Sequence, residues 1–152
     1  MLKSISTQPN TVKVLAVQNT EVVSPSNTNE NTVYSFSVPG GTIGNNGSLR
    51  ICTQFLCTNN ANVKTLRIKF GGVTVLSTPA ANAAGAGQFL KIANRNSESS
   101  QISGIVVSGT TGTITTMAID TSATQNIEVT VQKATAGDTL DLQSIIIEHL
   151  PV

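Results

Sequence analysis

The feature that most constrains this chain is a two-residue alternation that stops and restarts at glycine-rich turns. In 33–56 (VYSFSVPGGTIGNNGSLRICTQFL), Tyr34, Phe36 and Val38 alternate with Ser35 and Ser37, the signature of a half-buried strand. Pro39-Gly40-Gly41 stops the pairing, because proline lacks an amide donor and glycine permits positive φ. Gly44-Asn45-Asn46-Gly47 adds a second turn of residues that tolerate the left-handed region. From Ser48 the alternation resumes, with Leu49, Ile51, Thr53 and Phe55 on one face. The unit builds shape rather than chemistry.

The pattern continues to the C-terminus. Over 65–70, Leu66, Ile68 and Phe70 face inward and Thr65, Arg67 and Lys69 outward, and Gly71-Gly72 turns directly into a strand at 73–77. The stretch 79–87 (PAANAAGAG) reads as a loop of small residues, and strands at 88–93 and 102–107 flank a polar loop at 94–101. A tight turn at 109–112 leads into 113–119, a second at 120–125 into 127–131, and Ala136-Gly137-Asp138 closes a hairpin into 140–150. Short strands at regular spacing, without a helical period, predict an all-β fold: an antiparallel β-sandwich, jelly-roll-like, with an extended N-terminal arm. An immunoglobulin-like sandwich would carry a Cys…Trp…Cys pattern that is absent, and a β-helix would show a fixed repeat. The expected division is an arm at 1–32, in which 11–17 (TVKVLAV) is a strand candidate, and a sandwich at 33–152. An arm so rich in Asn, Thr and Ser orders only when something holds it, so a neighbouring subunit or lattice is expected to grip it.

Composition limits what such a sandwich can do. The 152 residues suit one domain with a real core. Charged residues make up 11%, less than half the usual quarter, as suits a protein packed into an assembly or an extracellular β-protein. The net charge of +1 offers no field to attract nucleic acid or an anionic membrane. No long apolar run opens the chain, so neither a signal peptide nor a membrane span is expected, and synthesis in a cytoplasm follows. Cys52 and Cys57 fall on opposite faces of one strand, roughly 16 Å apart at about 3.3 Å per residue, which excludes a disulfide between them.

Tools for catalysis are scarce. The single histidine, His149, would need Asp138 or Asp141 and a serine beside it, and no nucleophile-elbow context supports them. The carboxylates Glu98, Asp120, Glu128, Asp138, Asp141 and Glu148 fall in turns or on outward positions, where solvation explains them. The glycines of 40–47 lack the Lys-Ser/Thr and the helix of a phosphate cradle. No enzyme, cofactor or metal is therefore expected. Arg50, Lys64, Arg67 and Lys69 are candidates for a small basic stripe, better read as a solvated face or an inter-subunit salt bridge than as a nucleic-acid contact. Asn46-Gly47-Ser48 matches a glycosylation sequon, but no secretory signal accompanies it. Asn-, Asp- and Ser-rich loops keep glycan binding open.

Three stretches, TVYSFSVPGGTIGNNGSLRI, KTLRIKFGG and IDTSATQNIEVTVQKATAGDTLDLQSIIIEHLP, resemble small β-sandwich domains in structural proteins of tailed bacteriophages. Such domains serve as capsid decoration (cement) proteins, head fibres and tail-fibre modules. The resemblance implies a non-enzymatic virion protein on the capsid surface, a homotrimer whose partner is the major capsid protein. A receptor- or glycan-binding fibre domain is the alternative. Val12, Val14, Leu15 and Val17 of the arm, with Arg67 and Lys69, are the candidate partner contacts, and 79–87 is a weaker one. On this reading, deleting 1–31 should leave the sandwich folded and abolish capsid binding.

Overall fold

The computed structural model describes residues 11–105 and 114–152; the turn expected at 109–112 lies outside them, as do the ends of the neighbouring strands. Among the described residues ten strands form: β1 (Lys13–Gln18), β2 (Asn31–Val38), β3 (Ser48–Cys57), β4 (Lys64–Phe70), β5 (Val73–Ala80), β6 (Gly85–Asn94), β7 (Gln101–Ile105), β8 (Thr115–Met117), β9 (Gln125–Lys133) and β10 (Leu140–Leu150). They make a six-stranded sheet, ordered β1-β10-β3-β6-β7-β8, and a four-stranded sheet, ordered β2-β9-β4-β5, with every pairing antiparallel.

The order describes one long antiparallel ribbon that has been rolled up. β1 pairs with β10, β2 with β9, β3 with β6 and β4 with β5, so the chain runs out along one side and back along the other. The ribbon's tip is Gly71-Gly72, where φ of +53° and +78° gives the twist that a two-residue hairpin needs. Curling brings β10 onto β3 and β9 onto β4, which completes a jelly roll. β7 and β8 extend the larger sheet beyond the roll.

Alternation explains the core. Leu49, Ile51, Thr53 and Phe55 point inward from β3, opposed by Leu66, Ile68 and Phe70 of β4 and Ile127, Val129 and Val131 of β9. In β10 a register shift between Leu142 and Ser144 resets the parity, so Leu140 and Leu142 before it and Ile145 and Ile147 after it are all buried. A comparable shift near Val33 buries that residue and leaves Tyr34 and Phe36 partly covered at the core's margin.

Two boundaries differ from expectation. The 79–87 stretch is a loop only at 81–84: Pro79 and Ala80 end β5, and Gly85, Ala86 and Gly87 begin β6 opposite Leu56, Phe55 and Gln54. Strand pairing along β3 outweighs the weak β propensity of glycine and alanine there. The expected break at residue 32 falls inside β2, and 13–18 supply the first strand of the roll. Val22 bridges to Leu142, and the Ser24 amide donates to Asp141 Oδ1 at 2.7 Å, so the segment between β1 and β2 is also tied to the sandwich.

Candidate functional site

Two features of the larger sheet face outward: the outer edge of β1 and a hollow on β10, β3 and β6. Among the described residues, β1 has a partner on one side only, so its other edge carries the backbone groups of an edge strand. Val14 and Val17 of β1 are 56% and 53% exposed, as is Val12 just before it at 49%, while Leu15 packs against the core. Val17 begins an outward row that crosses four strands, running through Ile146, Cys52 and Phe89. One row further along, Val14, Glu148, Arg50 and Lys91 are neighbours, and Arg50 pairs with Glu148 while its guanidinium lies 5.7 Å from the Phe89 ring centre.

On the other side of the apolar row lie Ser144, Gln54 and Gly87. Ser144 Oγ donates to Gln54 Oε1 at 2.9 Å. Gly87 has no side chain to fill its outward position, and a hollow of about 410 Å³ opens there, lined also by Cys52, Phe89 and Ile146. An added Cβ at Gly87 would stand 3.3 Å from the Thr53 carbonyl oxygen, tighter than ordinary contact. Reading 79–87 as a loop hid this hollow; the available signal was glycine on alternate residues, Gly85 and Gly87, next to a regular strand.

The expected contact residues are not gathered in one place. The valines of β1 lie on the six-stranded sheet's edge, whereas Arg67 and Lys69 belong to the four-stranded sheet. There Glu30, just before β2, takes both cations: Lys69 Nζ at 2.6 Å and Arg67 Nη1 at 3.2 Å. The hydrogen bond from Lys69, joined by one from Thr130 and the charge of Arg67, holds the Glu30 carboxyl below its ordinary value. The basic stripe does not form, because Arg50 is on the opposite sheet and Lys64 is fully buried. Arg67 and Lys69 are thus engaged within the chain.

His149 and Asp141 stand near opposite ends of β10, roughly 26 Å apart at about 3.3 Å per residue, too far for an acid–base pair. Among the described residues, no three His, Cys, Asp or Glu side chains gather as a metal site. Both thiols are free, and burial pushes each above the ordinary cysteine value, which suppresses the reactive thiolate. Burial also lowers His149, whose Nε2 is sealed without a hydrogen-bond partner. Because its folded value is depressed, neutral His149 contributes stability above its ordinary value of 6.5, and this is lost as pH falls through the folded value. An NMR titration of the ring should give a midpoint below 6.5; a midpoint at or above it would contradict the sealed environment.

No family model matches the chain, and no curated protein does. Among solved structures, dimeric latent PorU from Porphyromonas gingivalis matches at 11% identity and TM-score 0.46, covering 91% of this chain and 12% of that one. The CBM2 module of the evolved Dit of Lactobacillus casei BL23 phage J-1 matches at 13% identity and TM-score 0.42, covering 75% and 67%. Basic winged bean lectin with Tn-antigen matches at 11% identity and TM-score 0.44, covering 91% of each chain.

Proposed function

We propose that this chain is a non-enzymatic structural protein of a virion, a decoration protein that binds the outer face of a phage coat lattice and stabilises it. The edge of β1, unpartnered among the described residues and carrying the exposed Val14 and Val17, supports this reading. An edge strand can add to a sheet of a neighbouring protein through main-chain hydrogen bonds, and outward valines supply apolar area to the same contact. The resemblance of the strand-turn pattern to phage structural domains and the low charge support the same role. The partner is the major capsid protein, the location the capsid surface, and the working form a homotrimer. Arg67 and Lys69, already paired with Glu30, drop out of the contact set.

Because Val14 and Val17 are more than half exposed, Val14→Asp with Val17→Asp should barely change stability. Co-sedimentation with capsids stripped of the protein should weaken at least tenfold, since two carboxylates would be desolvated in the contact. Wild-type binding by the double variant would sink the assignment of β1. Quantitative mass spectrometry of virions supplies the second check. A copy number near that of the coat protein, or a simple fraction of it, accords with a lattice-covering protein. A handful of copies would favour the fibre-domain alternative.

A further inference from the structure

We infer that the hollow over Gly87, Gln54 and Ser144 binds a neutral saccharide. This deepens the fibre-domain alternative by naming a site, and it stands apart from the coat-docking role of β1. No charged side chain lines the hollow, so its chemistry suits an uncharged ligand. Its polar groups form a donor–acceptor couple: with Gln54 Oε1 taken by Ser144, the amide Nε2 remains a donor and Ser144 Oγ an acceptor. Neighbouring sugar hydroxyls present the complementary pair, and Ile146, Cys52 and Phe89 offer an apolar wall for the ring's C–H face.

The centre of the floor offers no strand edge for an extended chain to join, because β3 is paired there on both sides, with Ser144 of β10 and with Gly87 of β6. A volume of about 410 Å³ lies in the range of small-ligand sites. Gly87 is then a specificity residue, because any side chain there would occupy the hollow.

The test is an amide-resolved NMR titration of the full chain with lactose, maltose, cellobiose and N,N′-diacetylchitobiose at millimolar concentrations. At least one should produce saturable shifts centred on Gln54, Phe89 and Ser144. Gln54→Ala and Gly87→Val should each weaken that sugar at least tenfold while the thermal midpoint stays near wild type. If Gly87→Val fails to fold, Gln54→Ala with Ser144→Ala carries the test. Absence of shifts with all four sugars, shifts centred elsewhere, or unchanged affinity in the folded variants would overturn the site. Capsid co-sedimentation reads the β1 contact separately, so either property can fail without the other.

Discussion

A fragment of residues 32–152 should lose cooperative folding, with a cost above about 5 kcal/mol, comparable to the whole stability of many domains. The missing segment is structural in four ways. β1 covers the edge of β10 from Lys13 to Gln18, and Leu15, Ala16 and Val22 pack against the core. The Ser24 amide fills Asp141 Oδ1, and Ser24 Oγ accepts from Lys133 Nζ at 3.1 Å in a buried site. Glu30 joins Arg67, Lys69 and Thr130 across the outer face of the smaller sheet. Without these groups, buried polar atoms lose partners and a long hydrophobic strand becomes a free edge. Circular dichroism and urea unfolding check it: a fragment with the full chain's urea midpoint would show the segment to be dispensable. The expectation of a detachable arm is therefore withdrawn, and point substitutions on β1 are the proper probe of docking.

Lys64→Ala should cost about 3 kcal/mol, although a lysine is usually tolerant of replacement. Lys64 is fully buried at the start of β4, and its Nζ donates to Asn60 Oδ1 at 2.8 Å and to the Asn62 carbonyl at 2.7 Å. Asn60 in turn donates to Asp138 Oδ1 at 2.8 Å, linking the loop before β4 to the turn before β10. Alanine would leave a cavity, deprive the Asn62 carbonyl of its donor and remove the cation nearest this network. Lys64→Met keeps most of the stem's volume and should cost less, about 1–2 kcal/mol, through the lost hydrogen bonds alone. Urea midpoints of both variants equal to wild type would contradict the network's role. Asp138 adds a pH signature. The Asn60 hydrogen bond depresses its folded value, so its contribution is present above the ordinary value of 3.8 and lost as pH falls below it.

Much of the fold is written in single residues. Alternation assigned Leu49, Ile51, Thr53 and Phe55 to the inside, and Leu66, Ile68 and Phe70 likewise, because period two leaves a half-buried strand no other choice of face. Gly71-Gly72 announced the hairpin tip by supplying the positive φ that other residues resist. Glycine and alanine at 85–87 carry little strand propensity of their own, and they became a strand by pairing with β3.

The candidate surfaces divide in the same way. Val12, Val14 and Val17 stood out in the sequence as an apolar, strand-forming set. That Val14 and Val17 lie on an edge strand, and Val12 just before it, follows from β10, which is the one partner of β1 among the described residues. The partners of Arg67 and Lys69 came from a glutamate placed across the sheet by the rolling of the ribbon. The hollow at Gly87 needed Gln54 and Ser144 brought beside it from residues far along the chain. Sequence by itself determined which side chains face the core and where the chain turns, because those choices depend on local geometry and solvent. Tertiary structure decided which strands are neighbours, which strands lie at an edge and which charges are paired, because these depend on backbone hydrogen bonds between distant segments.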